Sequence, residues 1–408
     1  MASLEFNQNE ITIPFLESCR HITDELADNV IKQVIDSGNA EHLNAVFVTL
    51  VSNHTFNEQT FKQFEGELKL TLDKYFIDSA QLPDWYDADK IKVGEQVFAE
   101  FGPEIFMLLN VSSLPMCYTC AKGAQVLFDT GRLMTHYKDM DPLVRRLMET
   151  GQMIFNVMSP GGLSADGTGL VTIQKVRLIH ASIRYYLKYQ ASKNGFQWDA
   201  HDLGEPINQE DLAGTLMSFA PVILKGLERL DINLSENQIE GYLHCWQVVG
   251  HLMGIKEALI PDTYENAFDL ANKILKHQAD TSESGIALTA SCINFINHTM
   301  PGNIFRGVPE YMIQYFLQDF EQGSGKPLAQ YIGLKDGDNK KDDVALRLTK
   351  FFTKDISKLE HHKFIQEISG VFNKVLLKSI IHHFNENKSV HFYIPPSLTQ
   401  NWNLNQNF

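Results

Sequence analysis

The stretch LVTIQKVRLIHASIRYYLKY, residues 170–189, carries Val176, Ile179, Ile183 and Leu187 at spacings of three and four. That period lays an apolar stripe along one face of an α-helix. No Pro or Gly interrupts it, and it follows SPGGLSADGTG, residues 159–169, the clearest loop in the chain. The spacing predicts a helix of about twenty residues from Leu170 to Tyr189.

The same period recurs outward from this segment. Residues 27–51 and 58–77 carry apolar positions three and four apart, with a break at Asp36-Ser37-Gly38. Ser235-Glu236-Asn237-Gln238 is a capping box: the Ser oxygen takes the third helical amide and Gln reaches back to the cap amide. It opens a helix through Tyr242 and Trp246 towards Gly254. Asn208-Gln209-Glu210-Asp211 supplies a cap and early acidic charge for a helix over Leu212–Leu230. Asp336–Asp343, DGDNKKDD, is a charged linker or exposed loop. Alternating strand patterns are almost absent, so the fold class is all-α.

Composition narrows the function. With 44% hydrophobic and 21% charged residues in 408, the chain is ordinary globular material. Fifty acidic against 35 basic residues give a net charge of −15, which argues against nucleic acid and anionic membrane surfaces as partners. No run approaches the ~20 apolar residues of a membrane span, and the first residues lack a basic, then apolar, leader pattern. Cysteines at 19, 117, 120, 245 and 292 are sparse and odd in number, which suits a reducing cytoplasm.

Chemistry concentrates at Arg177, His180 and Arg184, which fall at i, i+3 and i+7 on one helical face. Two readings are open. The three basic groups can be a solvated face paired to acids on a neighbouring helix. Alternatively, flanking guanidiniums keep the imidazole neutral and await anions, needs that a haem meets with its iron and two propionates.

The order of further segments adds to this. LPMCYTCAKGAQVLFDTGRL begins at Leu114; VRLIHASIRYYL, Gly204–Leu212 (GEPINQEDL) and Tyr242–Gly250 (YLHCWQVVG) follow, with Gly254-Ile255 closing the last helix. This pattern, over about residues 95–300, resembles the rubber oxygenase/latex clearing protein family, which extends to mycophenolic acid pathway oxygenases. The resemblance implies a globin-like helical core that holds haem b and activates dioxygen. It makes His180 the iron ligand, Arg177 and Arg184 the propionate anchors, and Arg132 an arginine of the distal helix. Together with the helical flanks read from the pattern, this gives three parts: a helical N-terminal extension (1–90), the haem-binding oxygenase-like domain (91–300) and a helical C-terminal region (301–408).

The chain departs from the family pattern on the distal side. Met116 stands where rubber-cleaving members carry a Glu base, and Thr135 where they carry a lysine able to reach iron; His136 comes next. His136 is open to three roles: a hydrogen-bond donor to dioxygen, a sixth iron ligand, or a surface residue. The resulting expectation is a haem-dependent oxygenase acting with dioxygen on an apolar small molecule, with Phe128, Leu133 and Phe155 as candidate substrate contacts. The alternative is a haem sensor or carrier with six-coordinate iron.

Other candidates are weaker. Cys117-Tyr118-Thr119-Cys120 is a CxxC pair followed by Ala121, not the His of covalent haem attachment; core packing is preferred over a redox dithiol. His244 and His251, seven apart, read as packing residues. Glu95 and Glu100 are either acid/base groups or a solvated face. Gly167-Thr168-Gly169 lacks the Gly-Lys-Ser/Thr ending of a phosphate loop.

Overall fold

In the computed structural model, residues 4–36, 64–133, 142–190, 197–299, 307–320, 325–334 and 370 are described. The helices among them are α1 (Ile13–Cys19), α2 (Glu25–Asp36), α3 (Gly66–Asp78), α4 (Ala88–Leu108), α5 (Leu114–Thr119), α6 (Ala121–Leu133), α7 (Pro142–Met158) and α8 (Thr168–Tyr185). They continue with α9 (Ala200–Leu203), α10 (Gln209–Phe219), α11 (Pro221–Arg229), α12 (Glu236–Leu252), α13 (Tyr264–Gln278), α14 (Glu283–Thr299), α15 (Val308–Leu317) and α16 (Leu328–Tyr331). One isolated bridge, Cys120 with Ala279, is the only extended pairing among the described residues. The all-α class expected from the sequence is the observed one.

Local chemistry explains where the helices begin and end. The Ser235 amide donates to Gln238 Oε1 at 2.9 Å, and the Gln238 amide donates to Ser235 Oγ at 3.3 Å, completing the capping box of α12. The Asp211 amide donates to Asn208 Oδ1 at 2.9 Å, capping α10. The single helix expected over Leu212–Leu230 is two: α10 stops at Phe219 and α11 starts at Pro221, across Ala220 at φ −99, ψ −89. Pro221 has no N–H to continue the first ladder, and its ring disfavours helical backbone before it. Helix α4 likewise kinks at Phe101 (φ −113, ψ 16), just before Pro103.

The helical run Ala88–Thr119, with a window of mean hydropathy 1.2, is long and apolar enough to cross a membrane by length and composition. The sequence reading missed it because no unbroken apolar run exists there. Its window is 67% buried within the protein, which accounts for the apolarity without a bilayer.

The chain divides into two compact units assembled from interleaved segments. The first comprises described residues of Met1–Gln96, Met153–Leu216 and Glu240–Leu270. Its core joins α2, α3 and α8: Ala27, Val30, Ile31 and Val34 meet Leu68, Leu72, Tyr75 and Phe76, together with Leu178 and Ala181. The Tyr75 hydroxyl donates to the Gln174 backbone carbonyl at 2.8 Å, and Gln174 Nε2 donates to Phe76 O at 2.9 Å and to Ser79 Oγ at 2.8 Å, so the polar groups drawn into this contact have partners.

The second unit comprises described residues of Val97–Gln152, Met217–Ile239 and Ala271–Phe408. Helix α14 packs along α5 and α6, and Cys292 Sγ lies 3.5 Å from Asn110 O. Arg229 of α11 forms a bidentate pair with Asp319 and lies over the Tyr315 ring at 4.4 Å.

Candidate functional site

Helix α8 starts from a loop with little freedom. The Gly162 amide donates to Ser159 O at 2.8 Å, and the Gly167 amide to Ser164 O at 2.9 Å. Gly161, at φ +78, donates its N–H to Glu95 Oε1 at 2.8 Å. Burial pushes the Glu95 carboxyl above its usual range, against the lowering effect of the Gly161 and Gly162 amides. Glu95 is therefore neither a solvated face nor an evident acid/base group; it is the post that holds the loop. A Cβ at Gly167 would come within 2.2 Å of Gly162 O, so these glycines serve close backbone approach, not phosphate.

The buried face of α8 is not the apolar stripe that spacing suggested. It consists of Leu170, Ile173, Gln174, Arg177, Leu178, Ala181 and Arg184. Val176 and Ile183 are half-buried and Ile179 is 43% exposed; of the expected stripe, Leu187 alone is fully covered. The helix is rotated because its two arginines are drawn inward by Asp24, just before α2, and by Asp28 in its first turn. Arg177 Nε and Nη2 donate to Asp24 Oδ2 and Oδ1, both at 2.7 Å, and Nη1 donates to Leu252 O at 3.0 Å. Arg184 Nε donates to Asp28 Oδ1 at 2.7 Å, and Nη1 donates to Ile207 O at 3.2 Å. Both arginines are thus paired to acids at, or just before, the start of α2.

The partners are themselves held. Asp24 precedes α2, and its Oδ1 also takes the Ala27 amide at 3.4 Å. The Glu205 amide donates to Arg20 O at 2.8 Å, and the Gln209 amide to Ile22 O at 2.9 Å, docking the segment before α10 onto the lead into Asp24. Fully buried Arg20 donates to Glu210 at 3.3 Å and Asp211 at 2.9 Å. Ile207 sits at φ +52, a strained value for a β-branched residue, and its carbonyl is the one that Arg184 reaches. Gly254 ends α12 at φ +77, and a Cβ there would lie 2.6 Å from Arg177 Nη2, so glycine is required for both turn and room.

His180 is half-buried, at the border of the two faces of α8. On one side lie the ion-paired arginines; on the other lies the partly exposed row Val176, Ile179 and Ile183. The first unit thus brings Arg177, His180 and Arg184 together. Arg132 lies in α6, in the second unit, with only its backbone described, and His136 and Leu133's side chain lie outside the described residues. Met116 is buried in α5, Phe155 is buried in α7, and Phe128 is half-buried in α6.

His244 and His251 pack against Trp85, each edge-on at ring distances of 5.7 and 5.9 Å. His244 Nε2 accepts the Asp87 amide at 3.0 Å, which demands a neutral ring, and burial lowers its pKa from the usual value. Sequence reasoning missed Asp24 and Asp28 altogether. Two aspartates four apart at the start of an amphipathic segment were the available signal. The exposed group Asp199, His201 and Asp202 is accounted for by capping, since Asp199 Oδ1 takes the His201 and Asp202 amides.

A family model described as ER-bound oxygenase mpaB/B′/Rubber oxygenase, catalytic domain, matches residues 122–348, more than half of the chain. The rubber oxygenase of Streptomyces sp. (strain K30) is 24% identical over 278 residues, covering 68% of this chain and 64% of that protein. The solved structure of latex clearing protein LCP in the closed state shares the fold, with a TM-score of 0.62 and 20% identity over 89% of this chain and 91% of that one.

Proposed function

Since this chain belongs to the mpaB/B′/rubber oxygenase catalytic-domain family, we propose that it is a haem b-dependent oxygenase that activates dioxygen on an apolar substrate, with iron held by His180. The observation that carries the reading is His180 at the edge of a half-exposed apolar row, on a helix whose rotation is fixed by one buried and one partly buried ion pair.

That surface suits the group chemically. A porphyrin needs a neutral nitrogen donor and apolar side chains against its face, and His180 with Val176, Ile179 and Ile183 offers both. Haem, when bound, supplies the iron at which dioxygen is activated. The protein's part is to hold the imidazole still. Arg177 does this through a carboxylate that is 6% exposed, and Arg184 through one that is 31% exposed. Of the two, Arg184 is the better suited to exchange its aspartate for a propionate, because Asp28 has water to move into. Buried Met116 stands in place of an acidic base, and His136, from sequence, is the candidate hydrogen-bond donor to dioxygen. A cytoplasmic location belongs to the same proposal and rests on the sparse cysteines.

Absorption spectra of haem-supplied wild type and His180→Ala, before and after reduction under air, test the assignment. A Soret band that is lost or shifted in the variant is expected. Identical spectra, or no band in either protein, would sink it. A low-spin bis-histidine spectrum in the wild type would instead favour the carrier reading.

A further inference from the structure

The CxxC pair belongs to none of this, and its surroundings differ from the core packing that its sequence suggested. Cys19, Cys245 and Cys292 are 0%, 0% and 2% exposed, and burial drives all three thiols upward, Cys292 to about 12. Cys117 and Cys120 are both half-buried and reachable from solvent. We infer that Cys117 and Cys120 form a redox-modifiable pair, which a low-molecular-weight disulfide converts into an intramolecular disulfide.

The turn that carries them is already shaped for closure. The Cys120 amide donates to Cys117 O at 3.1 Å, closing a four-residue turn. Such turns keep the first and fourth Cα within about 7 Å, and a disulfide accepts roughly 4.4–6.8 Å. The two residues between are anchored inward: Tyr118 is 3% exposed and Thr119 0%. Thr119 Oγ1 donates to Met116 O at 2.6 Å, and Thr119 O accepts the Asp280 amide at 3.1 Å. Tyr118 O faces Gly285, where a Cβ would come within 2.3 Å. The buried middle thus fixes the turn, leaving the cysteines at its ends near the surface.

The two sulfurs are not equivalent. Cys117 lies in the last turn of α5, whereas Cys120 immediately precedes α6 and accepts the Ala124 amide at 2.9 Å. A thiolate is favoured at a helix N-terminus and disfavoured near a C-terminus. Cys120 is therefore the attacking sulfur. Its thiolate attacks one sulfur of the oxidant RSSR, forming Cys120–S–SR and expelling RS⁻, which takes up the proton that Cys120 lost. The Cys117 thiolate then attacks Cys120 Sγ, forming the Sγ–Sγ bond and expelling the second RS⁻, which takes Cys117's proton. Two protein thiols are oxidised, and one small disulfide is reduced to two thiols.

The native full-length protein would be incubated with oxidised glutathione near neutral pH, blocked with N-ethylmaleimide, digested and analysed by mass spectrometry. The expected product is a peptide joining Cys117 to Cys120, two hydrogens lighter, unalkylated and restored by dithiothreitol. Cys19, Cys245 and Cys292 should be alkylated only after denaturation. In Cys117→Ser, glutathione should stay trapped on Cys120. Full alkylation of both cysteines after excess oxidant, or a stable glutathione adduct without closure in the wild type, would overturn the inference; the wild-type result decides even if the variant fails to fold.

Discussion

Asp24 serves two partners with one carboxylate: Oδ2 takes Arg177 Nε at 2.7 Å, and Oδ1 is shared between Arg177 Nη2 and the first turn of α2. With 7% and 6% side-chain exposure the pair is out of reach of solvent screening. Removing one member of such a pair leaves an uncompensated charge and costs about 3–5 kcal/mol, whereas an exposed pair is worth about 0–1. Asp24→Asn should therefore lose about 3–5 kcal/mol in urea denaturation. Arg177→Lys should not behave conservatively, because an ammonium cannot reproduce the two-pronged contact. Asp24→Asn combined with Arg177→Met should recover part of the loss, since no buried charge then stays unpaired. A single-variant loss below about 1 kcal/mol would mean that the pair acts as a surface bridge. At this scale the sequence showed the basic triad but not its partners. Arg177 and Asp24 are 153 positions apart, and helical spacing gives no information across such a gap.

Among the elements, the loop that feeds α8 is the one whose chemistry could be misjudged from composition. Gly161 and Gly167 both look like flexible punctuation, yet they are constrained by different things. Gly161 has φ +78 and open space around its missing Cβ, so Gly161→Ala strains only its own backbone, about 1–2 kcal/mol. Gly167 has an ordinary φ of −73, but its Cβ would strike two backbone carbonyls at 2.2 and 2.5 Å, which cannot rotate aside. Gly167→Ala should therefore be the costlier change, about 1–3 kcal/mol with displacement of the start of α8. Thermal melts of the two variants side by side would reveal the reverse order if local φ mattered more than packing. Helix positions and caps were legible beforehand because they depend on neighbours in sequence: the Ser235 box and the Asn208 cap are where spacing put them. The rotation of α8 was not. Hydrophobicity assigned Val176, Ile179 and Ile183 to the core, and two ion pairs outweighed them.

For the whole molecule, the all-α class followed from the period of the apolar residues, but the two compact units did not, because each is built from segments far apart in the chain. Stability is the property in which these scattered segments act together, and its pH dependence has opposing contributions. Burial depresses the pKa values of His244 and His251 below 6.5. Below about pH 6.5 the unfolded chain then binds protons that the folded one refuses, so stability falls as pH falls through this window towards the folded values. The partly buried carboxyl of Asp211 and the buried one of Glu95 are shifted the other way, upward, chiefly by desolvation. Their contribution is fully present below their unfolded values near 4 and is lost as pH rises through the folded ones. Between about pH 7.5 and 5.5 the imidazoles, His244 above all, should account for the acid-side loss. His244 accepts the Asp87 amide on Nε2 and has Gln247 Oε1 3.1 Å from Nδ1, and a proton on Nε2 would set two donors against each other at the start of α4. His244→Gln keeps a side-chain acceptor and removes the titration. Its melting temperature should fall less than that of the wild type over this range, even if it starts lower. Parallel curves would assign the acid sensitivity to other groups.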